Sequence, residues 1–216
     1  MTRTDSLKLC ATILIWGIPT VIAIVFHEVM HGRVALAFGD NTAADAGRLS
    51  FNPLKHIDPF GTIGLPALLI FLNLPVFGYA KPVPVDFRRL YPKRLGMVAV
   101  AAAGPLTNLT LAVVSAILFH FLANLSSTTL TAYFVSRLLS VSVGVNVMLA
   151  FFNLLPLLPL DGGRVLVGVM PPMWAHIYAR LERYGFVLLF LLLYTDWFEQ
   201  LISPIIGTMT RVLLRL

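Results

Sequence analysis

Apolar residues run almost unbroken from residue 9 to residue 38, and near the end of the run, in "IAIVFHEVMHGRVALAFG", stand His27, Glu28 and His31. As one helix this segment would extend about 45 Å, against a hydrocarbon core of about 30 Å. Gly17 and Pro19 offer a bend. Counting about 20 residues from Leu9 as the spanning length puts His27 and Glu28 near the far edge of the hydrocarbon layer, close to one membrane face. Residues 40–60 are polar and rich in turn formers, and "RLSF" at 48–51 reads as a short strand before the Asn52-Pro53 turn. In residues 61–78 the apolar core between Pro66 and Pro75 is too short to span comfortably, which predicts a re-entrant or interfacial segment, with a proline-kinked span as the alternative.

Further spans are predicted at about residues 95–123 and 133–157, and two tightly spaced apolar stretches at 184–198 and 200–215 predict a C-terminal helical hairpin. The pattern as a whole predicts an all-α polytopic membrane protein of about five to six transmembrane helices. It adds a short membrane-associated β-hairpin or re-entrant segment near residues 46–78.

Composition sharpens this picture. The 216 residues are 58% hydrophobic and 12% charged, where soluble domains carry roughly 25% charged residues. No polar segment is long enough to bury a core of its own, so residues 1–216 are expected to form a single integral membrane domain, with the hairpin at 184–215 following a core at about 9–170. The net charge of +6 does not indicate nucleic acid. Its densest basic run, Lys81, Arg88, Arg89, Lys93 and Arg94, lies between apolar segments, as expected of a cytoplasmic loop. Arg164, Arg180 and Arg183 agree with that side, and the hairpin would return Arg211 and Arg215 to it. If the first helix also ends there, Arg3 and Lys8 lie outside, so the N-terminal orientation stays open. The single cysteine, Cys10, excludes an internal disulfide. The N-terminal apolar run continues into the histidines without a small-residue cleavage site, so it is expected to be retained.

Residues four apart on a helix share a face, so His27 and His31 can ligate one metal ion. Glu28 is rotated by about 100° and is left free to hold and deprotonate a metal-bound water. Two imidazoles suit zinc, and a catalytic zinc takes a third protein ligand. Ionisable groups inside a membrane segment are expensive and are by default functional or paired. His120 lies near the outer end of an apolar run and His176 in a loop, so both are poorly placed as the third ligand. Asp161 is better placed, after a segment that Pro156 and Pro159 must interrupt and before Gly162 and Gly163. Without the histidines the same residues would read as an ordinary Asp-Gly turn.

Three separated motifs, "HEVMH" at 27–31, "AGPLTN" at 103–108 and "NLLPLLPLDGGR" at 153–164, together resemble the site-2 protease family of intramembrane zinc metalloproteases. "GRLSFNPLKHIDPFGTIGLP" and "YAKPVPVDFRRL" resemble its compact prokaryotic branch, and the likeness covers most of residues 20–170. The resemblance implies that His27, His31 and Asp161 hold one zinc ion, that Glu28 is the general base, and that the helices bearing the motifs form a three-helix catalytic core. It further implies transmembrane protein substrates in a lipid bilayer and a prokaryotic cytoplasmic membrane, and the basic loops above put the active site nearer the cytoplasmic face.

Asn108 and Asn153 are candidates for substrate or oxyanion support, with an interhelical hydrogen bond as the alternative for each. His56 and Asp58 are candidates for groups behind the metal ligands or at the substrate entrance. An extended substrate could add to the strand expected near 47–52, and residues 61–78 could act as a lid. Two other readings are a zinc transporter, which should show polar residues on both sides of the site, and a silent zinc-binding adaptor, which should have lost one of the four residues. The outer halves of the helices are apolar and all four residues are present.

Overall fold

The computed structural model describes residues 3–74, 78–124, 129–195, 200 and 202–215. Three helices make the frame: α1 (Arg3–Ala37), then, after the shorter α2 (Thr42–Asp45) and α3 (Leu65–Phe71), α4 (Lys93–Asn124) and α5 (Leu130–Asn153). The three long helices pack on one another in every pairing. Small residues allow this approach, since Ala23, Ala101, Ala103, Ala112, Ala116 and Ala150 are all buried. Ala112 and Ala116 pack with Val143 and Val147 to seal α4 against α5.

Helix ends follow from local chemistry. Gly39 closes α1 in the left-handed region at φ 98°. The Asp40 N–H bonds the Ala35 carbonyl at 2.9 Å and the Gly39 N–H bonds the Leu36 carbonyl at 3.0 Å, the paired bonds of a Schellman stop. The Thr129 side chain caps the start of α5 through Ala132 N–H. Beyond α5, Pro156 and Pro159 prevent the helix from continuing, and the chain folds back to enter α6 (Asp161–Val169). A Cβ on Gly162 would lie 2.2 Å from the Leu154 carbonyl oxygen, and one on Gly163 would lie 2.6 Å from Leu158 N. The two glycines are thus required by this return loop. Helix α6 packs on α4, where Arg94 donates to the Gly168 carbonyl at 3.2 Å and to the Met170 carbonyl, capping its C-terminal end with a cation. Helices α7 (Pro172–Ala179), α8 (Gly185–Tyr194) and α9 (Ser203–Arg215) complete the chain.

Two expectations change. Among the described residues no strand forms, and residues 48–52 run without a ladder. The neighbouring segment is Lys81-Pro82-Val83-Pro84, whose prolines have no N–H to offer. Only Lys81 N–H reaches across by a backbone bond, to His56 O at 2.9 Å, while Arg48 fills the gap by donating to the Lys81 carbonyl at 2.8 Å. The other half of that expectation has a counterpart in a helical run at Pro59–Phe71, too short to cross a bilayer.

The second change concerns the number of spans. Among the described residues three helices, Lys8–Ala37, Lys93–Ala123 and Leu130–Asn153, are long and apolar enough to cross. Helices α8 and α9 have 10 and 13 residues, about 15 and 20 Å; residues 196–199 and 201, which the expected hairpin also includes, lie outside the described residues. Helix α9 packs on α5 and α4. Its Leu213 carbonyl accepts from His120 Nε2 at 3.0 Å, near the end of α4 opposite Lys93. Arg211 and Arg215 therefore sit at the end of the bundle away from the basic loop, not beside it as the expected hairpin required.

Candidate active site

One turn of α1 and the first residue of α6 bring together His27, His31 and Asp161. His27 Nε2 and His31 Nε2 lie 3.0 Å apart. Asp161 Oδ2 lies 3.1 Å from the first and 3.3 Å from the second. Both histidines are buried.

Proton positions follow from what lies behind the rings. His31 Nδ1 meets the Val100 carbonyl at 2.7 Å, and His27 Nδ1 meets Asn108 Oδ1 at 2.6 Å. Both partners are acceptors, so each Nδ1 carries the hydrogen and each Nε2 presents a lone pair. Asp161 Oδ2 is buried and receives no hydrogen bond. Two imidazole nitrogens and a carboxylate oxygen therefore converge on one point, a donor set suited to a cation at its centre. Ligand atoms bonded to one tetrahedral zinc at 2.0 to 2.1 Å would be about 3.3 Å apart, and the observed triangle fits. Gly104 of α4 makes room for it. A Cβ there would come within 2.5 Å of His27 Cε1 and of His31 Nε2.

Glu28 faces the same cavity, of about 610 Å³, and one of its oxygens, Oε2, accepts from Val83 N–H at 2.9 Å. Val83 is fixed by its neighbours. Asp86 N–H donates to Asp40 Oδ2 at 2.7 Å, and Asp40 is wholly buried directly after the α1 stop. The rest of the cavity wall is mostly apolar, with Val85, Phe87, Phe152, Phe186, Leu189 and Leu193 facing inward. Arg164 also lines it, paired with Glu182 at 2.8 Å and seated over the Phe87 ring.

The other sequence candidates divide. Asn108 is fully buried, and its Nδ2 donates to the Ala23 carbonyl at 3.2 Å and to Asn146 Oδ1 at 2.9 Å. All its polar atoms are engaged within the bundle, which is the interhelical alternative, and it contacts a metal-ligand candidate rather than the cavity. Asn153 does line the cavity, with Nδ2 bonded to the Leu149 carbonyl at 2.9 Å. His56 and Asp58 do not line it. His56 is buried with Nε2 on the Ser50 carbonyl at 2.7 Å, and Asp58 Oδ1 caps the turn that follows by accepting from Phe60 and Gly61 N–H. His120 and His176 lie elsewhere, on Leu213 and Arg180. Sequence reasoning passed over Asn146, Val83 and Arg164. Asn146 carried a usable signal as an amide within the apolar run "SVGVNVMLAFF", while a backbone N–H such as that of Val83 leaves none.

The profile of peptidase family M50, the site-2 protease family, matches residues 17–194. This chain belongs to peptidase family M50. Among its relatives is a Bacillus subtilis protein named "Putative zinc metalloprotease YwhC", 35% identical over 192 residues, which are 88% of this chain and 84% of that one. Two proteins named Rip2 carry the same description. The one from Mycolicibacterium smegmatis is 30% identical over 187 residues, 84% of this chain and 69% of its own length. That from Mycobacterium tuberculosis H37Rv is 28% identical over 177 residues, 80% and 63% respectively. No solved structure matches the chain significantly. The M50 assignment makes the protein an integral membrane zinc metalloprotease, consistent with its three long apolar helices and with a His, His, Asp cluster able to bind the metal.

Proposed function

We propose that this M50 chain is an intramembrane endopeptidase that hydrolyses peptide bonds in or near transmembrane segments of membrane proteins, with His27, His31 and Asp161 holding one zinc ion and Glu28 as general base. The observation that carries the reading is the convergence of two imidazole nitrogens and a carboxylate oxygen beside Glu28, in an apolar cavity among helices of spanning length. Zinc supplies polarisation of the scissile carbonyl and lowers the pKa of a water to about 7. Glu28 takes the water's proton and delivers it to the leaving amine. Val83 N–H holds one Glu28 oxygen and so fixes the direction in which the other points.

A peptide bond in a helical substrate is shielded by its own hydrogen bonds, so the segment unwinds to enter. The aromatic and aliphatic walls receive its apolar side chains and limit the number of waters at the site. Asn153, on the same wall, has a further amide hydrogen with which to support the substrate backbone. The basic side chains Arg94 and Arg164, near the site, support a cytoplasmic position for that end of the bundle, in a bacterial inner membrane.

The test is co-expression of candidate single-span substrates with wild type and with Glu28→Gln. Wild type should yield a truncated product, and Glu28→Gln should yield none while retaining zinc. Cleavage by Glu28→Gln at the wild-type rate would sink the base assignment.

A further inference from the structure

A line of buried polar groups crosses all three long helices, and the chemistry above uses only its last member. It begins on α5 at the Ser142 carbonyl, which accepts from Asn146 Nδ2 at 2.9 Å. A carbonyl can only accept, so Asn146 must turn its own oxygen the other way, where Asn108 Nδ2 donates to it at 2.9 Å. The second hydrogen of that Asn108 nitrogen points at another pure acceptor, the Ala23 carbonyl, at 3.2 Å. Asn108 Oδ1 is thereby left facing His27 Nδ1 at 2.6 Å. Were Asn108 turned over, its NH2 would meet Nδ1, the imidazole proton would move to Nε2, and the ligand lone pair would be lost. Asn146 is 1% exposed and Asn108 0%, so water does not compete for these bonds.

We propose that Asn146 is a positioning residue for the metal site: it transmits the acceptor polarity of the Ser142 carbonyl through Asn108 to His27, so that His27 Nε2 is presented to zinc as a bare lone pair. The inference rests on His27 being a zinc ligand. His31 needs no such relay, because the Val100 backbone carbonyl holds its Nδ1 directly at 2.7 Å. That difference supplies an internal control.

The experiment is 15N NMR of histidine-labelled, metal-free full-length protein in lipid, at a pH alkaline enough that both rings are neutral, paired with zinc affinity from chelator competition. In wild type both histidines should carry the proton on Nδ1. Asn146→Leu should convert His27 to a mixture of tautomers, leave His31 unchanged, and weaken zinc binding by about tenfold, the lower end for groups that orient a metal ligand. Asn146→Asp, protonated in this buried place, can still donate to Ser142 and accept from Asn108, and should keep the His27 tautomer and bind zinc within about threefold of wild type. The proposal is overturned if wild-type His27 carries its proton on Nε2, if Asn146→Leu leaves the His27 tautomer and zinc affinity unchanged, or if it shifts both histidines alike. Should Asn146→Leu fail to fold, the wild-type tautomer and the Asn146→Asp protein decide the matter. Failure of the site reading shows separately, as wild-type zinc affinity in His27→Ala.

Discussion

In the proposed site each Nε2 is offered to the metal because of what its ring's other nitrogen touches, and the carboxylate oxygen because it has no hydrogen-bond partner. Removal of any one of the three should therefore act on the metal before it acts on the chemistry. His27→Ala, His31→Ala and Asp161→Ala should each lower zinc affinity by at least about a hundredfold, read by metal analysis after dialysis against a weak chelator. Gly104 makes a sharper test at this scale. Its Cβ would enter the space of both imidazoles at 2.5 Å, so Gly104→Ala should disturb zinc binding although alanine suits a helix better than glycine. Wild-type zinc affinity in that variant would mean that α4 does not close on the histidines as described.

At the level of elements, the site depends on two connections. The return loop before α6 delivers Asp161, and Gly162→Ala should displace it, because the added Cβ would lie 2.2 Å from the Leu154 carbonyl oxygen. Loss of zinc with the long helices intact by circular dichroism is the expected result. The second connection is the segment carrying Val83, tied down through Asp86. Arg88 beside Asp86 holds that carboxyl below the usual carboxylate range, mainly through its side-chain hydrogen bond. A lowered folded pKa stabilises above the ordinary value of about 3.9 and is lost only as pH falls through the lowered one. This local pair should hold throughout the neutral range. The tie itself runs from Asp86 N–H to the Asp40 carboxylate, so Asp40→Ala should make residues 81–94 more sensitive to limited proteolysis at pH 7 than they are in wild type.

What the sequence made legible differs among these elements for physical reasons. The paired histidines announced themselves because ionisable groups are costly in an apolar helix, and Asp161 because prolines and glycines mark a broken helix beside it. The strand near 48–51 failed because alternation says nothing about the partner, and the partner's prolines remove the donors a ladder needs. Asn108 was legible as a buried amide needing partners, but which partners depended on how α1, α4 and α5 meet. The same long-range packing hid Asn146, and it placed α9 against α4 and α5 with its last turn beside His120.

For the molecule as a whole, the proposed function is that this M50 zinc site cuts peptide bonds within a lipid-embedded substrate with Glu28 as its base. Its most direct test reconstitutes the full chain with a single-span substrate in proteoliposomes and reads product masses for wild type and Glu28→Gln at equal zinc content. The expected result is a wild-type cut within or beside the apolar span, abolished by chelation and restored by zinc, and a drop in rate of at least about a hundredfold in Glu28→Gln, the lower end for a general base. Equal rates for the two proteins, or a wild-type cut confined to residues remote from the membrane, would contradict it.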